Sequence, residues 1–217
     1  VFTYHTRYEQ YLHYLKPYDY VQNFYMRNAK NKLRAIPHKI LFDSGKKLVT
    51  FHNRIFTNLC SMVFVPTESM KQYLIENGTS TKIEIVPTGI NPEDFLYDKE
   101  ATKKIRSRYL EGKKFLLCTV SRLEREKNIL FILEGLARLK SNIGSCFRLL
   151  LIGDGSQRDE IKSVAHSLNL TDNIIFTGCV EHSQIRNFYH ACDAFVFASR
   201  SETQGIVLLE AMAAGLP

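Results

Sequence analysis

The second half of the chain alternates short apolar runs with amphipathic stretches, and that alternation leaves few architectures open. "KFLLCTVSR" (113–122), "FRLLLIGDG" (147–155), "NIIFTGCV" (173–180) and "AFVFAS" (194–199) are apolar along nearly their whole length rather than at every second position. A strand apolar on both sides is one covered on both sides, as in a parallel sheet between two helix layers. The intervening stretches are "NILFILEGLARLK" (128–140), "QRDEIKSVAHSL" (157–168), "SQIRNFYHA" (183–191) and "GIVLLEAMAA" (205–214). They carry apolar residues at helical spacing. The expected class is α/β, with a doubly wound parallel sheet. One residue sits oddly in this pattern. Glu210 lies among Leu208, Leu209, Ala211 and Met212, where a buried charge is costly without a partner.

The first half follows the same grammar less regularly. A strand is expected near 1–4, followed by a Tyr-rich segment. "SMVFVPTESMKQYLIENG" reads as strand, cap (Thr67 or Ser69), helix and a stop at Gly78. "KIEIVPTG" reads as another short strand. "INPEDFLYDKEATKKIRSRYLEG" is polar and irregular, which makes it the best linker. A length of 217 residues allows two modest domains. The expected division is 1–98, a linker over 99–112, and a second domain over 113–217.

The formal charge of +7 suits an anionic partner (a phosphate ligand or an anionic membrane surface), and equally a basic solvated face. Charge is the one feature favouring nucleic acid, and no recognition motif accompanies it. The five cysteines are scattered without a C-x-x-C pair and read as reduced thiols of a cytoplasmic protein. No apolar run reaches the length of a membrane span, and no segment reads as a signal peptide.

In open parallel sheets ligands bind beyond the carboxyl ends of the strands, so the residues that follow each strand are the candidates. After the first strand of the second half, Ser121, Arg122 and Lys127 can converge on an anion; a solvated loop would look the same. After the second, Gly153 and Gly155 allow close backbone approach and are expected to leave amides free at the helix start, although short glycine turns are common. Gly178 follows the third strand. After the fourth, "SRSETQG" leads into a helix opened by Gly205 and Ile206, whose N-terminus suits phosphate. Glu202 lies in that loop and Glu210 inside the helix. A vicinal diol such as a ribose would satisfy Glu210; an internal protein partner would also do so. Tyr4, Tyr8, Tyr11, Leu15 and Tyr18 recur at three-to-four spacing, and Arg27, Lys30, Lys32, Arg34, Lys39, Lys46 and Lys47 follow. That pairing of an aromatic stripe with cations suits a helix lying on an anionic bilayer, or one packed on a sheet with its charges solvated.

These residues resemble the retaining GT-B glycosyltransferases of family 4. The likeness is carried by "VSRLEREKN", "LLLIGDGSQRDEI", "IIFTGCV" and a glutamate pair eight positions apart, Glu202 and Glu210. It implies two Rossmann-like domains, both incomplete in this chain. It also implies that Arg122 and Lys127 hold a donor diphosphate, that Glu210 binds the nucleotide ribose, and that Glu202 faces the donor sugar. Gln204, Gly205, Ile206 and Val207 would lie along sugar and phosphate. "TYHTRYEQYLHYL" is similar to the diacylglycerol glucosyltransferases of Gram-positive bacteria, with His5 at the strand end that faces donor sugar and acceptor.

The implied function is transfer of a hexose, glucose from UDP-glucose, with retention to a lipid such as diacylglycerol at the inner face of the cell membrane. No D-x-D occurs, so no metal or other cofactor is expected. The opening strands and glycine loop of the first domain and the end of the second are missing from the likeness, so a chain of this extent is not expected to turn over alone. A polysaccharide or glycan acceptor, and a non-catalytic nucleotide-binding role, are the alternatives. A nicotinamide oxidoreductase would need a G-x-G-x-x-G after its first strand, which "GDGSQRDE" does not supply.

Overall fold

The computed structural model describes residues 1–8, 11 and 32–217, with side chains along its first long helix from Asp43 onward. Two compact units emerge, Val1–Thr88 and Gly89–Pro217.

The first unit is built on a parallel sheet of three short strands, β1 (Phe2–Thr3), β2 (Val63–Val65) and β3 (Ile83–Ile85), in that spatial order. Phe2 lies opposite Val63, and Val63 opposite Ile83. Helix α1 (Lys32–Leu59) connects β1 to β2, and α2 (Glu68–Glu76) connects β2 to β3. Thr67 caps α2, accepting from the Met70 amide, and Gly78 follows at positive φ. The core comprises Tyr4, Val63, Val65, Met70, Leu74 and Ile83.

Tyr4 corrects the reading of a helical tyrosine stripe. It follows β1 in extended chain, buried in this core, where its hydroxyl accepts from Asn53 Nδ2 at 3.1 Å. Tyr8 lies in a short turn and is exposed. Leu15, Tyr18, Arg27 and Lys30, and the side chains of Lys32, Arg34 and Lys39, lie outside the described residues.

The second unit carries a four-stranded parallel sheet: β4 (Phe115–Val120), β5 (Phe147–Ile152), β6 (Ile174–Gly178) and β7 (Ala194–Phe195). The order is β6-β5-β4-β7, so the chain winds outward from β4 in one direction and then returns to its other side. Successive residues of each strand point into different cores. Leu149 and Leu151 pack with Ile129, Leu133 and Ile161, from α4 (Ile129–Ile143) and α5 (Arg158–Ser167). Leu116, Cys118, Leu150 and Ile152 pack with Tyr189 and Ala211, from α6 (His182–Ala191) and α7 (Ile206–Ala213). This two-sided burial is the physical reason the strands read as unbroken apolar runs.

Two expectations change. The segment read as a linker is folded: Pro92–Phe95 form a 3-10 turn and α3 spans Lys99–Leu110, capped by Asp98, which accepts from the Ala101 amide at 3.0 Å. Phe95 is buried, and Ile105, Tyr109 and Leu110 pack against the same core. The compact units divide between Thr88 and Gly89, so α3 belongs to the second. The apolar run 194–199 is strand over its first two residues only. All five cysteines are free; Cys118 and Cys192 are buried, whereas Cys179 is exposed.

Candidate functional site

The strand order places a topological switch point between β4 and β7, and in open parallel sheets the crevice beyond the carboxyl ends of two such strands is the natural ligand site. Two loops lie there. One follows β4 (Ser121–Asn128) and the other follows β7 (196–205). They are stitched together by backbone and side chain. The Arg200 amide donates to the Glu126 carbonyl at 2.8 Å, and Ser199 Oγ donates to the same carbonyl at 3.2 Å. Asn128 Nδ2 donates to the Ala198 carbonyl at 3.2 Å. The early end of β7 serves this arrangement: the chain leaves the ladder to run along the β4 loop.

On this frame Lys127 and Glu202, 75 residues apart in sequence, form an ion pair of 2.6 Å. Their side chains are 16% and 27% exposed, so the pair faces a partly solvated crevice. Arg122 projects from the same loop, 58% exposed, and reaches Glu126 at 3.2 Å. The Glu126 carboxylate itself is buried. Ser121 Oγ, at the end of β4, is buried without a hydrogen-bond partner among the described residues, which is costly unless a ligand or water meets it.

Helix α7 opens from the β7 loop. Gly205 precedes it in the left-handed region (φ 70°) and supplies no side-chain cap. Ile206 and Val207 form its first turn, with Gln204 half-buried just before. Amides that open a helix without a cap favour an anion. One turn further in, Glu210 is buried, 6% exposed. Its Oε2 accepts from the Tyr189 hydroxyl of α6 at 2.9 Å. Burial pushes the Tyr189 phenol well above its ordinary range and the adjacent carboxylate adds to the effect, so the proton stays on the phenol. The internal partner that the sequence leaves open for Glu210 therefore exists.

The glycine turn after β5 departs from expectation. Its amides are occupied. Gly155 N–H donates to Asp154 Oδ1 at 2.8 Å, the Ser156 amide to Glu124 Oε1 at 2.9 Å, and the Gln157 amide to the Leu123 carbonyl at 2.9 Å. Ser156 Oγ adds a 2.6 Å bond to Glu124 Oε2. A Cβ on Gly153 would stand 2.1 Å from the Ser121 carbonyl oxygen, and one on Gly155 2.5 Å from that of Leu123. These glycines let the β5 turn lie against the β4 loop and so set the position of Ser121–Leu123. The Gly155 amide and then Arg158, at 2.6 Å, hold the Asp154 carboxyl below its usual range. Gly178 closes the same edge, its carbonyl accepting from the Gly153 amide at 2.9 Å.

Arg122, Lys127, Glu202 and the start of α7 are thus assembled at one sheet edge. Gly153, Gly155 and Gly178 support that edge from beside it. His5 lies in the first unit, exposed just beyond the carboxyl end of β1. Sequence reasoning missed Glu124, Glu126 and Tyr189. The glutamates look like solvated loop charges in "LEREKN", and Tyr189 looks like one more apolar position of α6. Glu124 and Tyr189 find their roles through distant partners, Ser156 and Glu210, and Glu126 pairs with Arg122 one turn away, a spacing the loop sequence does not single out.

Residues 101–217 match the family described as Glycosyl transferases group 1, and residues 1–94 match Glycosyltransferase Family 4. The whole chain aligns with the alpha-monoglucosyldiacylglycerol synthase of Streptococcus pneumoniae at 31% identity over 222 residues, covering 45% of that protein. It aligns likewise with the synthase of the same name from Acholeplasma laidlawii at 28%, covering 51%. The chain spans about half the length of these curated relatives. Among solved structures, HepE of Anabaena in complex with UDP-glucose superposes with a TM-score of 0.71 at 21% identity, over 79% of this chain and 48% of that one. Sucrose-phosphate synthase of Thermosynechococcus elongatus gives 0.68 at 24%, over 80% and 43%. The parallel sheets with a switch-point crevice define an α/β protein of GT-B fold, of which the chain covers part. The chain belongs to the family 4 glycosyltransferases.

Proposed function

We propose that the protein carrying this chain transfers a hexose, glucose from UDP-glucose, to a lipid acceptor such as diacylglycerol with retention of anomeric configuration. The observation that carries the reading is the assembly at the β4–β7 edge: Lys127 against Glu202, Arg122 beside them, and the uncapped start of α7 leading to a buried Glu210. A departing nucleoside diphosphate gains negative charge, and preorganised cations and helix amides stabilise it where that charge develops. In the free site each cation is matched by a carboxylate. A diphosphate would displace that match, taking Lys127 and Arg122 and freeing Glu202 to accept from a donor-sugar hydroxyl. In this mechanism the bond from the anomeric carbon to the diphosphate oxygen breaks as the acceptor oxygen bonds to the same face. The acceptor's proton passes to the leaving phosphate oxygen. These cations would serve without a metal. Glu210 would accept the two hydroxyls of the ribose, and His5 would face sugar and acceptor.

The lipid acceptor is supported by the two synthases with which the whole chain aligns and by the surface of α1. Leu48, Phe51, Ile55 and Leu59 lie exposed along one side of that helix, with Lys47 and Arg54 beside them. Such a face suits peripheral contact with an anionic bilayer at the inner side of the cell membrane. Among the described residues no helix is long and apolar enough to cross a membrane. The test is to incubate the full-length protein with UDP-glucose and diacylglycerol in anionic-lipid micelles and look for product by mass spectrometry. A glucosyl diacylglycerol is expected. Tight UDP binding without glycolipid would discard the lipid acceptor.

A further inference from the structure

We propose that Tyr189 is a positioning residue for nucleotide recognition: its buried hydroxyl fixes the plane of the Glu210 carboxylate so that the free oxygen is presented to the ribose diol. The inference rests on the reading of Glu210 as the ribose ligand.

Three observations carry it. The Tyr189 hydroxyl donates to Glu210 Oε2 at 2.9 Å, and among the described residues the carboxylate takes no other hydrogen bond, so Oε1 is left open. Tyr189 is 0% exposed, so water does not compete for the phenol. Its ring is held edge-on by Phe195, with centroids 5.7 Å apart at 71°, and lies 6.5 Å from Phe95. Phe195 belongs to β7, the strand at the switch point, so the ring that orients Glu210 is anchored to the strand whose loop carries Glu202.

A glutamate has three rotatable side-chain bonds, and a carboxylate free to turn meets a vicinal diol in few of its orientations. A donor on one oxygen removes that freedom before the ligand arrives, which lowers the ordering cost of binding. The second oxygen retains its lone pairs for two hydroxyl donors. Oε1 is not among the buried side-chain oxygens that lack a partner, so it keeps access to solvent and a ligand can reach it.

The test uses the full-length protein and calorimetric titration with UDP and with 2′,3′-dideoxy-UDP. Wild type is expected to prefer UDP by about tenfold or more, the effect of hydrogen bonds to a charged acceptor. Tyr189→Phe keeps the ring and removes the hydroxyl. It should reduce that preference by about fivefold, weakening UDP much more than the dideoxy compound, as coupled groups do. Phe195→Leu, which keeps the hydroxyl but loosens its wall, should reduce the preference less and in the same direction. A preference that stays at the wild-type value in both variants, even with a lowered melting temperature, overturns the positioning role and leaves the ribose reading standing. No preference in wild type overturns the ribose reading and this inference with it.

Discussion

Helices α1 and α4 are both amphipathic, and each meets the core of its own unit differently. Over its 15 residues α4 turns Ile129, Ile132, Leu133 and Leu136 into the core of the second unit. On α1, among the residues whose side chains are described, the side turned inward mixes polar Asn53 and Thr57 with Phe56, whose ring stands edge-on to Phe2 at 4.8 Å. Thr57, fully buried, shares a hydrogen bond with Thr79 at 2.9 Å, and Asn53 reaches the Tyr4 hydroxyl. Four of its described apolar residues, Leu48, Phe51, Ile55 and Leu59, are exposed. Periodicity thus predicts that a helix is two-sided but not which side meets the core. In α4 the apolar side contributes stability; in α1 the exposed apolar residues named above form a surface available for contact.

The largest effect is expected in the core of the second unit. Leu133→Ala should cost about 2–5 kcal/mol of unfolding free energy, as removal of a fully buried side chain does, read by urea denaturation. A cost below 1 kcal/mol would mean that α4 is not the core helix described. The polar edge that α4 helps to support should respond in activity instead. Arg122→Ala should lower kcat roughly a hundredfold, the scale of one preorganised donor to a developing oxyanion, and an unchanged kcat at saturating donor removes that role. On α1, exchanging Lys47 and Arg54 for glutamate should weaken binding to anionic vesicles about tenfold or more, each cation near a charged surface contributing about 1 kcal/mol. Unaltered sedimentation with vesicles would take the membrane reading away. Smallest of all, Leu48→Ser and Ile55→Ser should leave stability within about 0.5 kcal/mol, since neither side chain lies in the core. A large loss there would show that something packs on that face.

The unit with α4 was the more legible. Its strands are apolar on both sides, and the residues after its first and fourth strands lie together at the β4–β7 edge. What stayed hidden has physical causes. α3 reads as linker because most of its twelve residues are polar or charged and its contribution to the core comes from a few positions such as Ile105 and Tyr109. Tyr4 joins a tyrosine stripe by spacing, yet β1 ends just before it and the core takes it. Gly153 and Gly155 announce a turn, and the free amides expected there are consumed by Asp154, Glu124 and Leu123. Lys127 and Glu202 were each legible as a charge at a strand end; their pairing was not, since only the fold brings them within 2.6 Å.

The central claim is that the β4–β7 edge binds a nucleotide through Glu210 and the cations beside it. The most direct measurement is calorimetric titration of UDP into the full-length protein and into its Glu210→Ala variant. Saturable binding to wild type with affinity about ten- to a hundredfold weaker in the variant is the expected result, the worth of hydrogen bonds to a buried carboxylate. Equal affinity in the two proteins would contradict the account.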